Sequence, residues 1–179
     1  MKLSATSTLP EVAIAVGAQL RRHGITAVLT GGACVSVYTD GSYVSKDADF
    51  VIQGRVRQDD LDDALAELGF VRTGDRYVHS DVEFYLEFPP GPLAIGSDLA
   101  IRPAEVAIAG DVALALSATD SCRDRLAAFF HWRDRQSLQL AVAVARHQIV
   151  DLEAIRKWSR SEGNLDDYNE FLREVRRSD

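Results

Sequence analysis

Cysteine, methionine and tryptophan are scarce in this 179-residue chain, which has two, one and two of them respectively. Cys34 and Cys122 are too few for a disulfide framework or for a zinc site built of four cysteines. Both lie in apolar segments, so we expect small buried thiols in a reducing, cytoplasmic compartment. The composition therefore excludes the small secreted proteins that depend on disulfides.

Long hydrophobic runs and an excess of positive charge are missing as well. No segment reaches the roughly 18 uncharged apolar residues of a membrane-spanning helix, so we expect no membrane partner. The net charge is −7, with 16 acids and 9 bases in residues 1–119 and 11 of each in residues 120–179. This distribution disfavours a broad basic face for nucleic acid and is compatible with a divalent cation in the acidic part.

The first part of the chain alternates helices with short strands. Thr8 and Glu11 have the spacing of a capping box, in front of a helix predicted from about Leu9 to His23. A buried strand is predicted at Ile25–Leu29. The next predicted elements are a short helix at Ala33–Tyr38, a strand at Asp47–Ile52 and a helix at Asp59–Leu68.

A hairpin or meander is predicted over Val71–Phe88, where the last part alternates apolar and polar residues. The run Pro89–Pro92 cannot continue a strand. Further short strands are predicted near Leu93–Ile95, Val106–Ala109 and Ala113–Leu116.

From Asp120 onward the hydrophobic period is helical. The predicted helices are Asp120–Trp132, Asp134–His147, Leu152–Ser161 and Leu165–Arg176. The predicted fold class is α+β. Residues 1–118 form a mixed β-sheet core with flanking helices, and residues 119–179 form a C-terminal helical bundle packed on that core.

The most informative segment is Ile25–Ile52, in which a strand, a Gly31-Gly32 turn, a short helix and a second strand follow one another. Asp47 and Asp49 are two residues apart in that second strand and so face the same side. Neighbouring carboxylates repel each other, and Mg²⁺ relieves the repulsion while accepting phosphate oxygens. Glycines between a strand and a helix let backbone N–H groups approach phosphate. The order of these features is typical of phosphoryl transfer.

This segment resembles the signature of the nucleotidyltransferase superfamily, the polymerase-beta-type fold. The glycine pair followed by Ser45-Lys46-Asp47-Ala48-Asp49-Phe50 is most similar to the branch of abortive-infection toxin nucleotidyltransferases. The resemblance implies a nucleoside triphosphate at the glycine turn and two Mg²⁺ (or Mn²⁺) ions held by three carboxylates. It also implies transfer of a nucleoside monophosphate to a hydroxyl, with release of pyrophosphate.

Residue by residue, the resemblance makes Gly31 and Gly32 phosphate-binding and makes Asp47 and Asp49 catalytic metal ligands. Gly32 stands where many members have a serine, and Ser36, one helical turn later, is a weak substitute. The basic residue often found before the Asp-x-Asp segment is replaced by Tyr43, and Lys46 is the cation nearest Asp47 in sequence.

The family requires a third carboxylate from a neighbouring strand. Glu83 and Glu87 lie on the polar side of the alternating segment. Glu87 is the preferred third catalytic and metal-binding residue, because it is next to the rigid Pro89–Pro92 turn. Glu83 is the second choice, and both side chains could instead be solvated carboxylates on an exposed face.

Two arginines of the helical part, Arg123 and Arg125, are candidates for nucleotide binding. The resemblance places a basic residue on a helix here and an acid such as Asp134 after it. The planar guanidinium binds phosphate oxygens in pairs. Surface ion pairs would explain both arginines equally well.

Three functions remain open from the sequence. The first is a metal-dependent nucleotidyltransferase that uses a nucleoside triphosphate and an RNA, protein or small-molecule acceptor. The second is a catalytically inactive binding module of the same fold, with a partner protein in a toxin–antitoxin or defence system. The third is a helical interaction protein, which leaves the segment Ile25–Ile52 unexplained.

Overall fold

The computed structural model describes residues 3–43 and 45–177, and a seven-stranded mixed sheet forms its centre. In chain order the strands are β1 (Ala27–Thr30), β2 (Asp47–Ile52), β3 (Phe70–Thr73), β4 (Arg76–His79), β5 (Tyr85–Glu87), β6 (Ala104–Ile108) and β7 (Asp111–Ala115). Their order across the sheet is β3-β4-β5-β2-β1-β7-β6. The pairs β1–β7 and β2–β5 are parallel, and the other pairs are antiparallel.

The helices are α1 (Leu9–Arg22), α2 (Gly31–Tyr38), α3 (Gln58–Ala66), α4 (Ala118–Trp132), α5 (Arg135–His147), α6 (Leu152–Ser161) and α7 (Leu165–Arg176). The predicted capping box is present: the Thr8 hydroxyl accepts from the Glu11 backbone, and the Glu11 carboxylate accepts from the Thr8 backbone. Such a cap satisfies backbone donors that the first helical turn leaves unpaired, which explains where α1 begins.

The helices α1 and α3 cover one face of the sheet. Gly17 of α1 lies over Phe50 and Ala113, and it leaves no room for a Cβ against Ala113. On α3, the carboxylate of Asp62 accepts a hydrogen bond from the Tyr77 hydroxyl. The apolar residues of β2 therefore face a closed core, and the alternate residues of the same strand face the other side.

The C-terminal helices pack beside α2. The Gln148 side chain, after α5, donates to the Tyr38 carbonyl at 2.9 Å. Cys34 of α2 and Cys122 of α4 are both free and fully buried, as their apolar sequence context predicts. The predicted α+β class, with a mixed sheet, flanking helices and a helical C-terminal region, is confirmed. The division at residues 118 and 119 stays a prediction, and the end residues 1–2 and 178–179 of its two ranges lie outside the described part.

Where the element bounds differ from the predictions, they do so by one or two residues. The strand predicted at Leu93–Ile95 is wrong: in the described chain this stretch forms only an isolated bridge between Ile95 and Asp98. Proline and glycine on either side leave too few residues for a ladder. None of the helices in the described ranges combines the length and the apolar character that crossing a membrane requires.

Candidate active site

Three carboxylates meet on the open face of the sheet because β2 and β5 are neighbours. The parallel register sets Asp49 beside Glu87 and Asp47 beside Tyr85. Residues two apart in a strand share a face, so Asp47, Asp49 and Glu87 point to the same side. One oxygen from each carboxylate lies within 4.8 Å of the others, and all three residues are half-buried. We call this group the carboxylate triad.

The triad is electrostatically crowded. Burial first, and then the charges of Asp47 and Glu87, raise the pKa of Asp49 to about 6. The shift has this direction because burial and like charges both disfavour the ionised form. A divalent cation would remove the cause, and three carboxylate oxygens are the donors that Mg²⁺ prefers. Mg²⁺ binds oxygen at about 2.1 Å, so two oxygens bound to one ion lie at most about 4.2 Å apart. The three carboxylate oxygens, all within 4.8 Å of one another, need only small movements to bind one ion.

Ser45 orients one member of the triad. Its hydroxyl donates a hydrogen bond to Oδ1 of Asp47. A donor fixed on one oxygen leaves the other carboxylate oxygen free for a ligand. This contact joins two residues that are two apart in the chain, at the bend that precedes β2.

The glycine turn lies directly beside the triad. Gly31 begins α2 with φ of +66°, and a Cβ there would collide with Oδ2 of Asp49. A Cβ at Gly32 would lie 3.0 Å from the Cβ and Oγ of Ser45. Position 31 therefore requires glycine for two reasons: the backbone has a left-handed conformation there, and the Asp49 carboxylate occupies the space that a Cβ would need. The turn and the triad form one surface, as the segment Ile25–Ile52 predicts.

Arg125 is the arginine that the fold brings to this surface. Its side chain is 21% exposed, and Nε and one terminal nitrogen donate to Oδ2 of Asp124 at 3.1 and 2.6 Å. Burial alone would lower the pKa of Arg125, but the charges of Asp124 and Asp49 outweigh it and raise the pKa. The positive charge in turn acts on Asp49, against the larger effects of burial and like charges. The Arg125–Asp124 ion pair of α4 is therefore close enough to act on Asp49.

Two of the predicted site residues lie elsewhere. Arg123 pairs with Asp98 and with Asp120, and its guanidinium lies over the Trp158 ring at 5.1 Å, so it stabilises the helical region. The Ser36 side chain is completely buried in α2 and is out of reach of a bound phosphate.

Lys46 and the two glutamate candidates are also placed by the fold. Lys46 is exposed next to Asp47 in the chain, and its carbonyl accepts from the backbone of Tyr85 at 3.1 Å. Glu83 is exposed outside the triad, whereas Glu87 belongs to it. Of the two alternatives for the third carboxylate, the fold thus brings the preferred one to the site.

Tyr85 was missed by sequence reasoning as a residue of this surface. It stands opposite Asp47 in the neighbouring strand, and the guanidinium of Arg76 lies 4.9 Å from the centre of its ring. The alternation in the sequence did place Tyr85 on the same side as Glu87. Which strand lies next to β2 is a matter of sheet order, which no local pattern in the sequence reveals.

No protein-family model matches this sequence, and no curated protein sequence matches it. Solved structures do. An antigenic nucleotidyltransferase-like protein from Paracoccidioides brasiliensis matches with a TM-score of 0.62 at 16% identity, over 93% of this chain and 94% of that one.

Two structures of the antibiotic-resistance factor ANT(2'')-Ia match more weakly. The solution structure has a TM-score of 0.51 at 15% identity, over 90% of this chain and 96% of that one. The complex with adenylyl-2''-tobramycin has a TM-score of 0.50 at 16% identity, over 88% and 94%. At such identities the likeness establishes the fold. The chain shares the fold of these nucleotidyltransferase-like structures.

Proposed function

We propose that this chain is a metal-dependent nucleotidyltransferase that passes a nucleoside monophosphate from a nucleoside triphosphate to a hydroxyl acceptor. The observation that carries the proposal is the contact of the Gly31 turn with Asp49 inside the carboxylate triad. Phosphoryl transfer needs a phosphate cradle and an anionic metal site that can contact the same triphosphate. The fold shared with nucleotidyltransferase-like structures supports the same reaction class.

The triad of Asp47, Asp49 and Glu87 would hold the divalent cation, Mg²⁺ or Mn²⁺. When bound, it would neutralise the charge that builds up on the phosphate oxygens. The hydrogen bond from Ser45 would keep Asp47 in a fixed orientation for that task. The crowding that raises the pKa of Asp49 is the electrostatic reason for such a site to favour a cation.

The triphosphate would lie on the side of β2 where the glycine turn and Arg125 are found. There the backbone N–H groups at the start of α2 and a guanidinium can both meet phosphate oxygens. Lys46, exposed beside Asp47, is a further cation within this surface.

In the reaction, the acceptor hydroxyl oxygen forms a bond to the α-phosphorus, and the bond from that phosphorus to the bridging oxygen of pyrophosphate breaks. The hydroxyl proton passes to a carboxylate. Glu87 is the member of the triad farthest from the glycine turn across the sheet, since β5 and β1 lie on opposite sides of β2. We therefore assign the proton transfer to a Glu87 carboxylate oxygen.

The identity of the nucleotide, the identity of the acceptor and the branch of the family are more specific parts of the proposal. A related structure contains adenylyl-2''-tobramycin, so ATP and small hydroxyl compounds come first in a search. RNA, protein hydroxyls and a toxin–antitoxin partner follow from the resemblance to abortive-infection toxins. A catalytically inactive nucleotide-binding module is the alternative in each case.

Two measurements test the proposal. A thermal-shift panel of the four nucleoside triphosphates with Mg²⁺ or Mn²⁺ should show a rise in melting temperature that requires the metal, because the ligand stabilises only the folded form. Transfer of label from the α-phosphate should then be lost in Glu87→Gln and kept in Glu83→Gln, a matched control on the same segment. Transfer that survives in Glu87→Gln would contradict the proposed role, and a thermal shift without transfer would favour the inactive module.

A further inference from the structure

An exposed apolar row begins at the triad and crosses the adjoining hairpin. The register sets Asp47 beside Tyr85, and Val71 beside Val78. Since Arg76 and Tyr77 stand opposite Glu87 and Leu86, the next pair along the same ladder is Val78 and Tyr85. Directly opposed residues share a face of the sheet, so the three form a continuous row.

This row is open to solvent. Val71 is 65% exposed and Val78 is 38% exposed, and both are among the few large hydrophobic residues exposed on the described chain. Antiparallel sheets with one solvated face usually carry polar side chains there. Single exposed hydrophobic residues are ordinary, but adjacent ones that continue from a functional surface mark a binding site.

A second row runs parallel to the first and carries a cation. It consists of Asp49, Glu87, Arg76 and Thr73, which oppose one another in successive strands. In residues 3–43 and 45–177, the guanidinium of Arg76 contacts the Tyr85 ring but forms no salt bridge with a carboxylate. We call Val71, Thr73, Arg76, Val78 and Tyr85 the hairpin platform. Its charged group is the guanidinium of Arg76, which lies over the Tyr85 ring.

The position of the platform relative to the glycine turn defines what it can bind. In phosphoryl transfer the attacking and leaving oxygens are roughly in line. The leaving pyrophosphate belongs on the β1 side of β2, where Gly31 lies, so the attacking hydroxyl must come from the β5 side. The platform is the surface on that side. Neighbouring strands lie about 4.8 Å apart, so it extends roughly 14 Å from Asp47 to Val71.

We infer that the hairpin platform binds the acceptor, and that the acceptor is a small hydroxyl compound with an apolar face and an anionic group. This inference rests on the proposed function. The apolar face lies on Val71, Val78 and Tyr85, and the anionic group pairs with Arg76. Once the triad holds a cation, Arg76 repels a polycationic acceptor rather than attracting it.

The experiment compares three probes by ligand-observed saturation-transfer NMR on the full chain with saturating Mg²⁺ and without nucleotide, so that the charge of the triad is compensated. The probes are 4-nitrophenyl β-D-glucuronide, which has every feature of the inferred acceptor, 4-nitrophenyl β-D-glucoside, which lacks the carboxylate, and tobramycin, a polycation. We expect the glucuronide to bind about tenfold more tightly than the glucoside, the effect of one charge-assisted hydrogen bond. Arg76→Gln should remove this difference.

The apolar row is tested by the double variant Val71→Ser/Val78→Ser, which should weaken the glucuronide and the glucoside alike by about tenfold. Leu99→Ser is the matched control, because Leu99 is 66% exposed and lies outside the hairpin. Both sites are exposed, so the variants should fold, and an unchanged melting temperature checks this.

Several results would overturn the inference. These are no detectable glucuronide binding at millimolar concentration, binding that the double variant leaves intact, a preference for the glucuronide that survives Arg76→Gln, or tighter binding of tobramycin. Failure of the proposed function would appear separately, as the absence of a metal-dependent thermal shift with nucleoside triphosphates, measured without any probe.

Discussion

The two sides of β2 differ in how much of their surface is exposed to solvent. On the β1 side, Gly31 contacts Asp49 and the Arg125 side chain is mostly buried. On the β5 side, the hairpin exposes Val71, Val78 and Arg76 to solvent. A closed, backbone-built side suits a substrate part that never varies, such as a triphosphate. An open side built of side chains can change its acceptor by surface substitutions that cost the fold little.

The largest effect should come from the residues between the two sides. Asp47→Ala removes a carboxylate of the triad and should reduce nucleotidyl transfer by about 10³-fold or more, because charge stabilisation at the phosphorus is lost. The rate of label transfer from an α-labelled nucleoside triphosphate measures it. Asp60→Asn, at an exposed position of α3 away from the triad, should leave the rate unchanged. An equal loss of transfer rate in both variants would show that the triad has no special role in the reaction.

The second effect compares two glycines with the same backbone conformation. Gly31 and Gly74 both have φ of +66°, but a Cβ meets Asp49 at the first and nothing within 4 Å at the second. Gly74→Ala should cost about 1 kcal/mol of unfolding free energy from backbone strain alone. Gly31→Ala should cost about 2–4 kcal/mol, since overpacking is added to the same strain. Urea denaturation of both variants measures the difference in unfolding free energy. Equal losses of stability would mean that the close approach of Asp49 to position 31 adds no energetic penalty.

A third, smaller effect separates the two arginines that flank the triad. Arg125→Gln should weaken nucleoside triphosphate binding by about tenfold or more, because a charge-assisted contact to phosphate is lost. Arg76→Gln should change nucleotide affinity by less than about twofold. Isothermal titration with Mg²⁺ measures both. Since Arg125 also pairs with Asp124, the melting temperature without ligand must be recorded, and Arg125→Lys should restore part of the affinity.

The smallest effect is one of stability. The pKa of Asp49 is raised to about 6 in the folded chain, above the value of about 3.9 in unfolded chains. The folded state is therefore penalised above pH 6, and the penalty fades as the pH falls through 6 toward 4. Without metal, Asp49→Asn should stabilise the chain by about 1 kcal/mol at pH 7.5, or roughly 2–4 °C in melting temperature, and by less at pH 4.5.

Added Mg²⁺ provides the control for that experiment. It should raise the melting temperature of the unmodified chain and have little effect on Asp49→Asn. A variant that is less stable than the unmodified chain at pH 7.5 in the absence of metal would show that the crowding of the triad has no energetic cost.

Local sequence patterns predicted the elements well where the cause was local. The capping box at Thr8 and Glu11 fixed the start of α1, and the strand at Asp47–Ile52 was predicted with its observed bounds. Because residues two apart in a strand lie on the same side of the sheet, the sequence predicted that Asp47 and Asp49 share a side and that Tyr85 and Glu87 share a side. The pattern failed at Leu93–Ile95, where three apolar residues without a partner strand do not form a ladder.

The local sequence does not distinguish the roles of the two candidate arginines of α4. Arg123 and Arg125 are two residues apart on α4, and the sequence gives them equal claims to the nucleotide. The fold pairs Arg123 with Asp98 and Asp120, whereas Arg125 pairs with Asp124 and its charge acts on Asp49. The difference is about half a helical turn, and it depends on how α4 packs against α2 rather than on either residue.

By itself, the sequence predicted that Asp47 and Asp49 share one side of a strand and that a glycine turn precedes this strand, because strand alternation and turn composition are properties of neighbouring residues. Only the tertiary structure decided that β5 lies beside β2. That adjacency selected Glu87 over Glu83 and continued the face of the triad into the exposed row of Tyr85, Val78 and Val71. Strand order results from packing the whole sheet against α1 and α3, so no short segment contains it.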